Sequence, residues 1–134
     1  MHLLADANLP QFADLVARLQ AQCAQPLTLQ TYRERQPRPE QLAQADALFI
    51  RSVTKVDAVL LAQAPRLKWL GTATIGMDHV DQAAVAAAGV TFHSTPGVNA
   101  QAVGDYVACA VAHLCLAADQ KPQGRAAIIG AGHT

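Results

Sequence analysis

An excess of charge of either sign is missing from this chain: ten Lys and Arg residues cancel ten Asp and Glu residues. That balance argues against a surface built mainly for nucleic acid or an anionic membrane, while leaving room for a local basic pocket. Cysteine is scarce too, with Cys23, Cys109 and Cys115 odd in number and without CxxC spacing. A disulfide framework is thereby disfavoured, and buried, reduced thiols are expected. No apolar stretch is long and uninterrupted enough to read as a membrane span. Val103–Ala118 comes closest, but it carries Asp105 and His113. A signal peptide is not expected either, because Asp6 interrupts the first apolar run. The expectation is a soluble, cytoplasmic protein without nucleic-acid or membrane partners.

What is present is apolar. Hydrophobic residues make up 51% of the 134, enough for one packed domain of ordinary size. A short apolar run, a turn and an amphipathic stretch recur along the chain. The pattern predicts strands at His2–Ala5, Leu27–Tyr32, Ala47–Ile50, Leu67–Gly71 and Val90–His93. It predicts helices at Leu9–Gln20, Glu40–Gln44, Val56–Ala64 and Val80–Ala88, the last ending at Gly89 as a left-handed cap. A Pro96-Gly97 turn then leads into a long Ala- and Val-rich helix, Gln101–Ala118. An apolar last strand, Ala126–Ile129, follows a turn. Alternating strands and helices imply an α/β fold with a doubly wound, mainly parallel sheet. Ligands of such sheets sit outside the carboxyl ends of the strands, so candidate chemistry is sought there.

The third strand delivers Arg51-Ser52-Val53-Thr54-Lys55 onto a helix start. Two cations and two hydroxyls at that point suit a phosphate or carboxylate. They are equally consistent with Thr54 as helix cap, Asp57 in the first turn, and Arg51 and Lys55 solvated. The fourth strand runs into Gly71-Thr72-Ala73-Thr74-Ile75-Gly76-Met77-Asp78-His79-Val80-Asp81. Its glycines let backbone pass close to a ligand, and its threonines add hydroxyls. Asp78 and Asp81 read as helix capping. His79 is either a base or an exposed first-turn residue. No second histidine stands at ligand spacing from it, so no metal site is expected. Asn99 reads as the N-cap of the long helix, with ligand contact as the other reading. Cys109, His113 and Cys115 do not share one helix face and read as packing residues. In the tail, Ile128-Ile129-Gly130-Ala131-Gly132 is an apolar strand meeting Gly-x-Gly, the opening of a dinucleotide-binding fingerprint. A third glycine is due at the position after Thr134, so the expectation is a chain that stops inside that loop.

Several of these stretches together resemble the D-isomer-specific 2-hydroxyacid dehydrogenases: Leu3-Leu4-Ala5-Asp6-Ala7-Asn8-Leu9-Pro10, Ala45-Asp46-Ala47-Leu48, Arg51–Val56, Gly71–Thr74, Asp78–Asp81 and Pro96–Ala100. The resemblance implies a flavodoxin-like substrate-binding domain over residues 1–100, a linker helix over 101–120, and the first strand of a truncated Rossmann domain over 121–134. It implies NAD as cofactor. Within the family, Arg-Ser-Val-Thr-Lys-Val and Gly-Thr-Ala-Thr point to the branch that acts in pyridoxal 5'-phosphate (vitamin B6) biosynthesis. That branch oxidises 4-phospho-D-erythronate to 2-oxo-3-hydroxy-4-phosphobutanoate.

By position, Ser52 and Thr74 match substrate-binding residues. Arg51 and Lys55 are candidates for the substrate phosphate, and the backbone at Ile75 and Gly76 for its carboxylate. Asn99 and Val103 match positions near the nicotinamide, and Gly130 and Gly132 belong to the cofactor's glycine loop. Asp105 stands where the family usually has glutamate. The family's catalytic arginine, glutamate and histidine have no counterpart among residues 1–134, which alone are expected to be inactive. A homodimer is expected of the intact enzyme. Two alternatives remain: a dehydrogenase for another 2-hydroxy acid such as 3-phosphoglycerate, and a non-catalytic flavodoxin-like binding fragment. A phosphoryl receiver is disfavoured, since the first strand offers only Asp6 and the third ends in Arg51.

Overall fold

A computed structural model of the chain describes residues 1–117. The expected strand Ala126–Ile129 and the glycines Gly130 and Gly132 lie outside the described residues. The chain divides into two units, Met1–Thr95 and Pro96–Thr134.

The first unit runs β1 (His2–Asp6), α1 (Phe12–Gln20), β2 (Thr28–Tyr32), α2 (Pro39–Leu42), β3 (Ala47–Ile50), α3 (Ala58–Ala62), β4 (Trp69–Thr72), α4 (Gln82–Ala87) and β5 (Thr91–His93). The strands order β2-β1-β3-β4-β5, and every neighbouring pair is parallel. The expected doubly wound α/β fold is what forms. Strand order reverses between β1 and β3, the switch point where such sheets open a crevice.

Successive strand residues face opposite sides. Leu4, Leu48 and Leu70 stand in one paired row and pack with Leu42, Leu60 and Val85 of α2, α3 and α4. On the other face Leu3 and Ala47 pack on Val16 of α1, with Phe12 and Phe49 against them. The two phenylalanine rings lie 4.7 Å apart. Gly71 is tightly placed against this pair: a Cβ there would meet the Phe49 ring at 3.1 Å, and the ring would have to shift by a few tenths of an ångström.

Three helices start later than the spacing predicts, for identifiable reasons. Before α1, Gln11 takes a left-handed φ of 56° after Pro10, which no helix continues through. Val56 and Val80 do not enter α3 and α4 because they pair with each other as an isolated parallel bridge. Each helix is then capped by the next residue: Asp57 accepts from Val59 and Leu60 N–H, and Asp81 from Ala84 N–H. The reading of Thr54 as helix cap, with Asp57 in the first turn, is therefore overturned, and Asp78 caps nothing among the described residues. Gly89 does take the expected left-handed conformation, at φ 68°. Cys23 is exposed rather than buried.

In the second unit Gly97 has φ 73°, and α5 (Ala100–Ala117) follows. Within its own unit α5 buries none of its side chains, so Cys109, His113 and Cys115 are not core there. By length and composition alone it reaches the threshold for crossing a membrane, because it begins three residues earlier than the stretch read from sequence. The same features suit a helix covered by protein.

Candidate functional site

The parallel strands end together at one edge, and their last residues build the crevice. At the exit of β1 the Asp6 carboxylate is 2% exposed. Its Oδ1 accepts from the backbone N–H of Asn8 (2.8 Å) and from the Asn8 amide (2.9 Å). Its Oδ2 accepts from Nε of Arg51 at 2.9 Å. Burial raises the carboxyl pKa, but the two Asn8 bonds and the Arg51 contact outweigh it and hold Asp6 below its ordinary value. Asp6 was the residue missing from the candidates, although a lone carboxylate ending a buried strand is itself a signal.

After β3 the chain turns tightly, with Thr54 N–H donating to Arg51 C=O at 3.2 Å. Ser52 is exposed at the corner of this turn. Thr54 is fully buried and shares a hydrogen bond of 2.9 Å with the Tyr32 hydroxyl at the end of β2. Burial pushes the Tyr32 phenol up to about 12, so it stays protonated. Arg51 is thus paired and only partly solvated, where one reading had it fully in solvent. Lys55 is the solvated cation, 74% exposed and 3.7 Å from Asp57.

At the exit of β4 three side chains form a directional chain. Thr74 donates to the carbonyl of Gly76 (3.2 Å), Thr72 lies 2.8 Å from Thr74, and His79 Nε2 lies 3.1 Å from Thr72. A hydroxyl carries one proton. In the arrangement where Thr74 gives its own to Gly76, Thr72 donates to Thr74 and the Nε2–H tautomer of His79 donates to Thr72. Thr74 is then left with a free acceptor lone pair, suited to a ligand hydroxyl. His79 is half-buried, not exposed. Burial lowers its pKa, against the raising influence of Asp78. Gly76 is exposed, and a Cβ there would meet nothing within 4 Å.

The two loops are tied together. Ile50 pairs with Thr72, so Ser52 and Thr74 each stand two residues past paired positions on adjacent strands. Beyond them Val56 N–H donates to His79 C=O (2.8 Å), and Asp81 N–H to Val56 C=O (2.9 Å). The fold therefore brings Arg51, Ser52 and Thr74 to one edge, while Lys55 projects to solvent. One hollow of about 290 Å³ adjoins Asp6, between Leu9, Phe12 and Thr31. A larger one of about 410 Å³ is apolar, lies against α1, and holds none of the candidate residues.

In the second unit Asn99 precedes α5, its carbonyl accepting from Val103 N–H at 3.0 Å. Both residues are exposed. They offer an amide and an aliphatic contact but no cradle for a diphosphate. The described residues thus do not by themselves fit a dinucleotide.

A family model described as D-isomer specific 2-hydroxyacid dehydrogenase, catalytic domain, matches residues 8–131. The chain belongs to this family. Erythronate-4-phosphate dehydrogenase of Idiomarina loihiensis is 45% identical over the whole chain, which covers 34% of that protein. This D-isomer specific dehydrogenase chain thus spans about a third of the length of the curated relatives it matches. Among solved structures, the TT0316 protein of Thermus thermophilus matches 92% of the chain and 43% of its own with a TM-score of 0.64 at 24% identity. The NAD+-bound 3-phosphoglycerate dehydrogenase of Entamoeba histolytica matches 93% and 42%, with a TM-score of 0.62 at 18% identity. At these identities the solved structures speak for the fold.

Proposed function

We propose that the Met1–Thr95 unit is the substrate-recognising part of an enzyme that oxidises 4-phospho-D-erythronate at its 2-hydroxyl in vitamin B6 biosynthesis. NAD is the proposed hydride acceptor, and the proposed setting is a cytoplasmic homodimer. One observation carries the substrate reading: a guanidinium and a hydroxyl, Arg51 and Thr74, leave adjacent strands at the same edge. A phosphorylated polyhydroxy acid presents an anion to the first and hydroxyl protons to the second. The name of the Idiomarina relative supports the same substrate.

In this reading Thr74 orients the acid through one of its hydroxyls, Ser52 adds a rotatable hydroxyl at the turn, and Arg51 takes the phosphoryl group. Exposed backbone at Gly76 receives the carboxylate, and Lys55 contributes only a long-range attraction from solvent. Asn99 and Val103 are proposed for the nicotinamide side, and Gly130 and Gly132 for the glycine loop.

Calorimetric titration of the 134-residue chain with 4-phospho-D-erythronate, D-erythronate and 3-phospho-D-glycerate tests this. Tightest binding is expected for the first. A preference for 3-phospho-D-glycerate moves the proposal to that sister substrate, and no binding of any of them sinks it. Thr74→Val and Ser52→Ala should each weaken binding about five- to tenfold, the worth of one hydrogen bond of about 1 kcal/mol. Residues 1–134 have no counterpart of the family's catalytic trio, so substrate and NAD should yield no NADH with this chain.

A further inference from the structure

Asp6 lies buried at the exit of β1, its carboxylate engaged by Asn8 and Arg51. We propose that it is a positioning residue, holding Arg51 by Nε so that the two terminal guanidinium nitrogens are presented to the substrate's phosphoryl group. The proposal rests on the substrate reading above.

The geometry is specific. A guanidinium has five N–H donors in a planar fork. Arg51 commits Nε to Asp6, and among the described residues its terminal nitrogens have no protein partner. The side chain is 35% exposed while that of Asp6 is 1% exposed, so the pair is fixed at its inner end and open at its outer one. Asp6 cannot swing to capture more of the fork, because Oδ1 is held twice by Asn8. The backbone of Arg51 is held as well, by the turn to Thr54 and, behind it, by the Thr54–Tyr32 bond.

A second aspartate–arginine pair in the same unit shows the alternative. Arg66 spends both Nε and Nη2 on Oδ1 of Asp46, at 3.3 and 3.0 Å, and that pair only staples loops. Pairing through Nε alone leaves all four N–H groups of the two terminal nitrogens uncommitted, including the edge that matches two phosphoryl oxygens. With Asp6 charged, the pair is neutral overall. Its preference is therefore for a correctly placed acceptor rather than for any anion.

The test is calorimetric titration of the full chain and its Asp6→Asn, Arg51→Ala and double variants with 4-phospho-D-erythronate, D-erythronate and inorganic phosphate. Asp6→Asn should weaken 4-phospho-D-erythronate about tenfold and leave D-erythronate within about twofold. Arg51→Ala should do the same, and the double variant should be no weaker than Arg51→Ala. A merely structural role predicts equal losses for both ligands, and additive losses in the double variant; either result overturns the proposal. Should Asp6→Asn fail to fold, Arg51→Lys keeps the charge but loses the fork, and undiminished phosphoryl preference in that variant would overturn it equally. If 4-phospho-D-erythronate does not bind but inorganic phosphate binds in an Asp6- and Arg51-dependent way, the substrate reading falls and the positioning role stands. If 4-phospho-D-erythronate binds independently of Asp6, the reverse holds.

Discussion

At the amino-terminal end of the sheet Asp46 takes two nitrogens of Arg66 on one oxygen and the backbone N–H of His2 on the other. At the carboxyl end Asp6 takes one nitrogen of Arg51 and two donors of Asn8. The chemical pair is the same, and its environment differs. Asp46 remains 16% exposed with Arg66 at 55%, so water screens the pair and its worth is that of a surface staple. Asp6 is removed from water, and its charge is tolerable because both its oxygens are hydrogen-bonded and one meets a guanidinium. Spending less of the guanidinium at the buried pair leaves donors at the end of the sheet where ligands bind.

The largest expected effect breaks that comparison most directly. Asp6→Ala should cost about 2–3 kcal/mol, below the ~3–5 kcal/mol of a fully buried pair because Arg51 is partly solvated. Asp46→Ala should cost about 1 kcal/mol. Urea unfolding of both variants decides the matter, and equal losses would show that burial does not separate the two pairs. Next comes Tyr32→Phe, which strands the Thr54 hydroxyl at 0% exposure and should cost about 1–2 kcal/mol in the same assay.

A smaller effect should appear on acidification. The folded-state pKa of His79 lies below 6.5. The unfolded chain therefore binds this proton more readily, and the associated stability is complete above about pH 6.5 and is lost as pH falls towards the folded value. Asp6 and Asp46, both held below 3.8, lose their contribution only in stronger acid. Stability should thus fall in two stages, and His79→Asn should remove the first while sparing the second. A first stage that persists in that variant assigns it elsewhere. Smallest of all, Asp46→Ala should leave affinity for 4-phospho-D-erythronate within about twofold. A larger loss would erase the distinction between staple and presenter.

Periodicity made the five strands and their parallel order legible because buried strands read as short apolar runs. Helix starts were less legible. Val56 and Val80 carry helical spacing, yet each is claimed by the other through a backbone bridge. Thr54 has the chemistry of a cap and lies just before a helix, but Tyr32 offers it a buried partner from a different strand. At the site, Ser52 and Thr74 were reachable by resemblance, and the structure sets them at neighbouring exits. Asp6 was readable only as a strand ending, since nothing adjacent in sequence announces an arginine 45 residues away. His79 had two open readings, a base or an exposed first-turn residue, and only the proximity of Thr72 in the fold removed the exposed one.

By itself the sequence determined the alternation of strand and helix, the left-handed turn at Gly89 and the family, because these depend on residues close along the chain. The tertiary structure decided which charges meet, that Thr72, Thr74 and His79 share hydrogen bonds, and which cation stays largely in solvent. Those outcomes follow from the strand order β2-β1-β3-β4-β5. It sets the ends of β1 and β3 side by side and excludes water from Asp6, which no local pattern specifies.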